Sequence, residues 1–574
     1  MSDAYRRLNE TLLERRAPAA GAFASDARAL RSWIDALPMA NYAVAAKRLL
    51  DGLRDLNRQR LQGAQRLEAL ESLRAPVIQL AAATDKQIVG ASFPLPPSKA
   101  ELGELALGFQ DELAAGYRAA LAELCSPNGT VPFLRSKQVI LAAVRALQHG
   151  DEHLAKAYLL YRTPPAGAWK ALHAVHAFIA SLRLDDRAAA DPLNGSDANA
   201  RVAYVHALLL ALANPYRYTQ REQGEVITLT RRLAPYCELR DGSGSEQDVL
   251  IDQEADRGPG YLPEERANGQ RDVRVLRLDA MHAFVDEQLA GAAPSARTAT
   301  FRMRGGSALH VDIDLARRLA AGWSARSERG HARLGGGYVL DSVLGLHDLH
   351  FVLAGGDSFE TFMQRVSGQA ISLSGADHGA SWRIGASDPG RAARLPARVL
   401  DQSLGGYRVL WERGPSGESV HARVAELVGL ALPERSADVT ADWMIGVIRW
   451  IRIDEQGRVD AGVELLARRA LPVGVRALDG ASGHGSLRGL LLAPLAGTGI
   501  DYDALLAPTE IDRHANEIEL TLPADLHGPP ALARTERATD LRMREATGIY
   551  QHFALAPRAS APTDLVEPAL VLDP

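Results

Sequence analysis

The feature that most constrains this chain is an abrupt change of hydrophobic periodicity near residue 240. Before it, apolar residues recur at spacings of three and four among arginine, glutamate and glutamine, which is typical of amphipathic helices. Beyond about residue 300, short valine-rich runs alternate with glycine turns, which is typical of β-strands. Because 574 residues exceed what one hydrophobic core usually holds, the sequence predicts a multidomain α+β protein.

The N-terminal region, residues 1–240, is predicted to be an α-helical bundle or solenoid. Leu30 and Trp33 show the helical spacing early, and Ser98 followed by Glu101 is typical of a capping box at a helix start. No residue signature repeats at a fixed period, so the pattern leaves bundle and solenoid both open. Further helices are expected at residues 102–124, 137–148, 152–161, 168–182, 200–212 and 219–236.

The rest of the chain is predicted to divide into three parts. Residues 241–300 are expected to be a linker with one short helix, because glycine, serine and proline are concentrated there. A β-barrel is expected over residues 301–480, followed by a β-rich segment with a proline-containing tail, residues 481–574. Strands are expected at residues 337–344, 398–411, 420–430, 445–453, 459–466 and 517–522.

Charge and cysteine content exclude several classes of function. With 65 basic and 70 acidic residues, the net charge of −5 gives no general attraction to nucleic acid or to an anionic membrane. The sequence shows neither a signal peptide nor an uncharged stretch of about 18 residues, so a cytoplasmic protein without a membrane span is expected. Cys125 and Cys237 are too few for a disulfide framework, and two buried thiols in a reducing compartment are expected.

The most informative stretch for function is Asp-Gln-Ser-Leu-Gly-Gly at residues 401–406, between two apolar runs. Aspartate and serine accept hydrogen bonds from nearby backbone groups or from a ligand, and glycine allows close approach of the backbone. By this chemistry alone, a structural turn inside a bent hairpin and a ligand-binding turn are both open.

This stretch resembles the Asp/Asn-x-Ser-x-x-Gly signature of PilZ domains, small β-barrels that act as bacterial receptors for cyclic-di-GMP. Residues 443–452 and 459–473 are similar to the late strands of that barrel, in which two neighbouring strands pair. The resemblance covers roughly residues 323–476. It implies a PilZ-like barrel with a receptor function and no enzymatic activity.

The second PilZ signature, Arg-x-x-x-Arg before the first barrel strand, matches this chain twice. One match runs from Arg329 to Arg333, and the other, from Arg394 to Arg398, directly abuts Asp401. The resemblance favours the first match, since a complete strand separates the two signatures in PilZ domains. Because Arg333 and Asp401 are then 68 positions apart, an insertion is implied, at about residues 354–391 with a helix at 359–366.

The resemblance implies a cyclic-di-GMP site in which arginines clamp phosphate and purine. Guanidinium groups fork onto phosphate oxygens and stack on purine faces, while the N–H donors of guanine need a carboxylate or carbonyl acceptor. A solvated, salt-bridged surface is the alternative interpretation of the arginine run. The residues implied for this site are Arg326, Arg329, Arg333, Asp401, Ser403 and Gly406.

The leading hypothesis is a non-enzymatic effector that senses cyclic-di-GMP through the barrel and contacts an unidentified protein partner through its helical domain. The resemblance implies an output in motility, pilus function, biofilm formation or virulence. Ligand would order the arginine segment and shift the population of domain arrangements. The alternative is a degenerate PilZ-like scaffold that binds protein partners without nucleotide. No cofactor and no nucleic-acid partner are expected.

Other polar clusters carry weaker signals. Two His-x-x-His pairs begin at His173 and His347, but neither has a third ligand at a recognisable spacing, so ordinary core or surface histidines are expected. Asp312 and Asp314 are the only basis for a hydrolase hypothesis, and an alternating strand that places both on one face explains them equally well.

Overall fold

The chain forms two compact units in the computed structural model. They comprise residues 1–329 and residues 330–574. The structure describes residues 2–18, 22–91, 93–193, 195, 197–242, 249–261, 273–293, 296–324, 332–367, 393–413, 420–433, 442–478, 485–495, 503–511, 517–523 and 534–555.

The first unit is mainly helical, as its periodicity predicted. The helices α5 and α6 lie at its centre and pack against their neighbours in the chain. Small residues allow close approach: a Cβ at Gly63 would lie 2.5 Å from the backbone nitrogen of Leu124. The helices are α1 (Asp3–Glu10), α2 (Ala27–Asp35), α3 (Tyr42–Arg58), α4 (Gly63–Ile88), α5 (Pro97–Leu124), α6 (Ser136–Leu159), α7 (Ala168–Ser181), α8 (Ala200–Leu212) and α9 (Gln220–Leu233).

Two expectations about helix ends are wrong. Residues 137–148 and 152–161 were expected as separate helices, but α6 runs through Gly150, where a Cβ would lie 2.8 Å from Leu172 Cδ2. This glycine is therefore a packing contact and not a break. Ser98 does not cap α5, which begins at Pro97 without a side-chain cap, because proline is well suited to the first position of a helix.

An ionic network lies inside the helical unit. The carboxylate of Asp191 accepts hydrogen bonds from Arg74 at 2.8 and 2.9 Å and from Arg145 at 2.9 Å, and all three side chains are buried. Arg145 also donates to Glu71 at 3.2 Å. A buried charge without a partner would cost several kcal/mol, so the network holds the loop around Asp191 against α4 and α6.

The end of the first unit contains more structure than the linker predicted at residues 241–300. A small antiparallel sheet in the order β1-β3-β2 precedes the expected helix, and a hairpin and another helix follow it. Residues 298–324 therefore belong to this unit, and the barrel begins later than the predicted residue 301. The elements are β1 (Glu238–Asp241), β2 (Val249–Asp252), β3 (Val273–Arg277), α10 (Asp279–Ala290), β4 (Thr298–Arg302), β5 (Ala308–Asp312) and α11 (Ile313–Ser324).

The second unit begins with the predicted barrel. Its six strands pair antiparallel around a closed ring, in the order β7-β8-β9-β12-β11-β10 and back to β7. The predicted pairing of the two late strands is confirmed as β11 with β12. The short strand β6 adds to β8. The strands are β6 (Leu334–Gly335), β7 (Val339–Leu344), β8 (Leu395–Ser403), β9 (Gly406–Trp411), β10 (Leu427–Ala431), β11 (Met444–Ile453) and β12 (Val459–Ala467).

A second sheet makes up the C-terminal part of this unit. Its strand order is β17-β16-β13-β14-β15-β19-β18, and it starts at residue 470, so the barrel ends before the predicted residue 480. The proline-containing tail lies outside the described residues. The strands are β13 (Ala470–Ala477), β14 (Leu487–Leu492), β15 (Ala504–Pro508), β16 (Glu517–Leu522), β17 (Arg534–Thr539), β18 (Arg542–Ala546) and β19 (Tyr550–Ala554).

Two helices between β7 and β8 account for part of the long separation of the two signatures. They are α12 (Leu346–Leu353) and α13 (Phe359–Ser367), and the second coincides with the helix predicted in the insertion. Both pack against the second sheet: a Cβ at Gly474 in β13 would lie 2.6 Å from the sulfur of Met363 in α13. The insertion thus joins the barrel to the C-terminal sheet.

Candidate functional site

The candidate site lies at the hairpin between β8 and β9. Ser403 and Gly406 pair across this hairpin, and Gly406 also pairs with Glu464 of β12. A Cβ at Gly406 would lie 2.1 Å from the backbone oxygen of Val463. The glycine of the motif is therefore required by the close approach of β9 to β12, whatever else it does.

An irregularity in β8 decides which way Asp401 faces. Val399 pairs with Val409, but Asp401 pairs with the next residue, Arg408, so Leu400 is an extra residue in the strand. In a regular strand Asp401 would share the buried inner face with Val399, since residues two apart lie on one side. The bulge turns Asp401 outward, where its side chain is 22% exposed.

Arg333 contacts Asp401 although the two residues are 68 positions apart in the chain. Its Nη1 donates a hydrogen bond to Asp401 Oδ1 at 2.6 Å. Backbone pairing brings the two segments together, because Gly335 of β6 pairs with Asp401 and the Gly336 N–H donates to the backbone oxygen of Leu400 at 3.0 Å. A Cβ at Gly336 would lie 2.3 Å from the backbone oxygen of Val399, so this glycine allows the segment to lie against β8.

The other arginine match does not reach Asp401. Arg398 pairs with Glu412 at 2.7 Å, and the Arg394 guanidinium lies 5.9 Å from the ring centroid of Trp443. The structure therefore brings the preferred match, through Arg333, to the acidic turn. Arg326 and Arg329 lie outside the described residues.

Arg408 and Asp460 extend the polar surface, and the sequence analysis missed both. Arg408 forks onto Asp460, with Nε to Oδ1 at 3.0 Å and Nη2 to Oδ2 at 2.7 Å, and its Nη1 lies 3.9 Å from Asp401 Oδ2. The hydrogen bond to Asp460 raises the pKa of the Arg408 guanidinium further above its usual value. A signal was available, since Arg408 follows Gly406 by two residues and shares its strand face.

Trp450 supplies an aromatic surface next to these charges, through a second bulge. Ile448 pairs with Val463 while Trp450 pairs with the adjacent Gly462, so Arg449 is the extra residue and Trp450 faces outward. A Cβ at Gly462 would lie 2.0 Å from the indole Nε1, so the ring lies directly over this glycine.

Two guanidinium groups accompany the indole. Those of Arg408 and Arg452 lie 6.0 and 5.5 Å from the ring centroid, within cation–π range. We call the resulting surface the outer-face site. It consists of Arg333, Asp401, Arg408, Trp450 and Asp460.

The hairpin end completes this surface. Ser403 Oγ donates a long hydrogen bond of 3.4 Å to the backbone oxygen of Gly406, and its position two residues from Asp401 places it on the same strand face. Tyr338 donates to the side-chain oxygen of Gln402, and the side chain of Leu404 is exposed. Cations, carboxylates, an indole and the Ser403 hydroxyl together suit an anionic ligand that has an aromatic face and N–H donors.

The remaining sequence candidates form no ligand site in the described ranges. His173 Nε2 donates a hydrogen bond to the backbone oxygen of Arg257 at 3.0 Å, and its Nδ1 lies 2.6 Å from Tyr204 Oη, so both ring nitrogens of this core histidine have partners. Among the described residues no group of His, Cys, Asp and Glu side chains is arranged to hold a metal ion. The strand expected to align Asp312 with Asp314 ends at Asp312, which caps α11 through Leu315 N at 2.9 Å.

Two further expectations from composition concern the cysteines and a membrane span. Cys125 and Cys237 are both free and buried, as expected. None of the helices in the part of the chain that the structure describes combines the length and the apolar character needed to cross a membrane.

Comparison with known proteins gives two family matches along the chain. Residues 28–244 match the N-terminal domain of the cyclic-di-GMP receptor FimW, and residues 249–392 and 385–472 match the middle PilZ domain of that receptor. The chain is 26% identical over 579 residues to the cyclic-di-GMP receptor FimW of Pseudomonas aeruginosa, with 91% of this chain and 89% of the relative covered. No solved structure matches.

Proposed function

We propose that this chain, which belongs to the PilZ-domain family, is a receptor that binds cyclic-di-GMP on the outer-face site of its barrel. The observation that carries the proposal is the contact of Arg333 with Asp401, since it joins the two matched motifs of the family in one place. The likeness over most of the chain to a protein named a cyclic-di-GMP receptor supports the same function.

Each residue that the family resemblance implies for this ligand has a proposed role. Arg326, Arg329 and Arg333 clamp phosphate oxygens and the purine face, because guanidinium groups are suited to both. The carboxylate of Asp401 and the hydroxyl of Ser403 line the base pocket. Gly406 allows the backbone to approach the ligand.

Arg408 and Trp450 add to these roles. Arg408 supplies a further cation beside Asp401, and the indole of Trp450 offers a surface on which a guanine base stacks. Stacking of this kind contributes about 1–3 kcal/mol per base in nucleic-acid-binding proteins. Neither residue is among those that the family resemblance implied for the site.

Ligand binding requires an exchange of partners at this surface. Arg333 and Arg408 are paired with carboxylates, but the Arg333 side chain is 46% exposed and that of Arg408 is 38% exposed. Exposed ion pairs contribute about 0–1 kcal/mol, so phosphate oxygens can replace the carboxylates at little cost. The released Asp401 then accepts hydrogen bonds from the guanine N–H groups.

The direct test is isothermal titration of the full-length protein with cyclic-di-GMP. We expect binding heat for the unaltered protein and none for the double variant Arg329→Ala/Arg333→Ala. The matched control is Arg398→Ala, which removes an arginine of the same barrel that pairs with Glu412 and should bind normally. Absence of heat at high micromolar protein, or equal affinity in the double variant, would defeat the proposal.

The scaffold alternative predicts a different orientation of the arginine side chains. A degenerate barrel would leave them pointing away from the acidic turn, whereas Arg333 donates to Asp401. This contact favours the receptor over a scaffold that ignores nucleotide. Motility, pilus function, biofilm formation or virulence is the proposed output, and the free buried thiols support placement in a reducing cytoplasm.

We further propose that the helical domain contacts a protein partner through the loop before α6. Phe133 and Leu134 are 90% and 86% exposed, and Leu134 has a φ of 62°, a conformation that costs a leucine energy. The following Arg135 and Lys137 are exposed at a helix N-terminus, where basic residues are unfavourable. These costs are explained by a partner with an apolar pocket bordered by carboxylates.

Site-specific photo-crosslinking in cells tests this surface. A photoreactive residue in place of Phe133 should crosslink a partner protein. The control is the same photoreactive residue in place of Arg221, whose side chain is 92% exposed, and it should not crosslink that protein. The identified protein, once purified, should bind the Phe133→Ser/Leu134→Ser variant at least about tenfold more weakly, as expected for two lost apolar contacts. Identical crosslinks at both positions would contradict the proposal.

A further inference from the structure

The C-terminal sheet repeats the strand connectivity of the barrel. In the barrel the first strand, β7, pairs with the second and the fourth, and the third pairs with the sixth. In the C-terminal sheet β13 pairs with β14 and β16, and β15 pairs with β19, in the same relation. The fifth strand corresponds to β17 and β18 together, since only Asp540 and Leu541 separate them.

The pairing of this fifth strand completes the correspondence. β17 pairs with β16, and β18 pairs with β19, as β11 pairs with both β10 and β12 in the barrel. The fifth strands also share a bulge, at Arg449 in the barrel and at Arg544 in the C-terminal sheet. The C-terminal sheet is thus a second six-stranded unit with the plan of the first.

In the barrel, one outer face bears the outer-face site. The corresponding face of the C-terminal sheet has a different role. The segment between β14 and β15 contains no Asp-x-Ser-x-x-Gly sequence. The outward side chains of β14, β15 and β19 instead join one apolar cluster with buried residues of the barrel and α12. Those from the C-terminal sheet are Leu490, Leu492, Ala504, Leu506 and Tyr550.

Arg449 connects this second copy to the outer-face site. Its Nη1 and Nη2 donate to the two carboxylate oxygens of Glu545 in β18, at 2.5 and 3.1 Å, and its Nε donates to Glu464 at 2.6 Å. Tyr550 also donates to Glu545, at 3.0 Å. Glu464 is the cross-strand partner of the motif glycine Gly406, so the guanidinium lies between the motif and the C-terminal sheet.

We propose that Arg449 is a positioning residue for the outer-face site, held in place by Glu545. It is the extra residue of the bulge that turns Trp450 outward, and a fork onto one carboxylate fixes its orientation. Without the fork, the bulge is free to shift by one residue, which would turn Trp450 to the inner face beside Ile448. The inference rests on the proposed function in so far as Trp450 contacts the ligand.

The test reports on Trp450 itself. Full-length protein labelled with 5-fluorotryptophan gives a ¹⁹F resonance for Trp450, which Trp450→Phe assigns. We expect Glu545→Gln to shift this resonance in the unliganded protein and to weaken cyclic-di-GMP binding by about tenfold. The matched control is Glu519→Gln, which breaks the pair of Arg476 with Glu519 on the C-terminal sheet and should change neither quantity.

The possible results distinguish failure of the positioning role from failure of the receptor function. An unchanged Trp450 resonance and an unchanged affinity in Glu545→Gln would overturn the positioning role, even if the melting temperature falls. If the unaltered protein gives no binding heat, the receptor function fails, while the resonance in the unliganded protein still tests the bulge. Arg449→Lys keeps the charge but loses the fork, so it should also shift the Trp450 resonance. It replaces Glu545→Gln in the test if that variant does not fold.

Discussion

At the scale of single residues, the one carboxylate of Asp401 faces two guanidinium groups. It accepts a hydrogen bond from Arg333, and Arg408 lies within 3.9 Å on the neighbouring strand. Both pairs are partly exposed, so they contribute little to folding. The main effect of this carboxylate is therefore expected in ligand binding and not in stability.

Replacing Asp401 by asparagine separates these two effects. Asp401→Asn keeps the size of the side chain but removes the charge that accepts guanine N–H groups, so cyclic-di-GMP affinity should fall by at least about tenfold. The melting temperature should move by no more than a few degrees. Titration calorimetry and thermal melting give the two values. Glu412→Gln, which breaks the neighbouring Arg398 pair, should leave affinity unchanged.

The motif glycine should matter for folding as well as for binding. Gly406→Ala places a Cβ 2.1 Å from a backbone oxygen that cannot move away easily, so we expect a loss of about 1–3 kcal/mol in unfolding free energy. Gly335→Ala is the control, since its Cβ would meet nothing within 4 Å. Denaturant unfolding compares the two variants, and equal stability would contradict the packing argument.

At the scale of elements, the segment entering β10 carries a half-buried carboxyl group, that of Glu426. Burial raises the pKa of Glu426 from 4.5 to about 7, while nearby Arg423 acts in the opposite direction. Since this pKa is higher in the folded state, the group stabilises the fold fully below pH 4.5 and loses that contribution as pH rises through about 7. His350 acts oppositely, because burial lowers its pKa to about 3.

The substitution Glu426→Gln isolates this contribution. Between pH 5 and pH 8 the unfolding free energy of the unaltered protein should fall relative to that of the variant, by up to about 3 kcal/mol. Because His350 is present in both proteins, its effect cancels in the difference. Urea unfolding at several pH values measures it, and parallel curves for the two proteins would show that Glu426 is ionised throughout.

At the scale of the whole molecule, the second unit has a core shared by two sheets. Leu490 of β14 lies in one cluster with Ile445 and Val447 of β11. Leu490→Ala should therefore destabilise by about 2–5 kcal/mol and raise hydrogen exchange in β11 as well as in β14. Mass spectrometry of exchanged peptides measures this. Faster exchange confined to β14 would mean that the barrel is stable without the C-terminal sheet.

Local patterns in the sequence were sufficient for the element types and for one half of the site. The helical spacing of the first 240 residues, the alternation in the barrel strands and the motif at Asp401 depend on neighbours within a few positions, where propensity and strand period act directly. The sequence therefore determined the helical and β-rich regions, the family resemblance and the helix inside the insertion.

Other features were decided only by tertiary structure. The bulges at Leu400 and Arg449 reverse the face of Asp401 and Trp450, and no residue type marks them in advance. The contact of Arg333 with Asp401 depends on β6 lying along β8, and the fork of Arg449 onto Glu545 spans two sheets. These features follow from strand register and sheet packing between distant segments, which local periodicity does not encode.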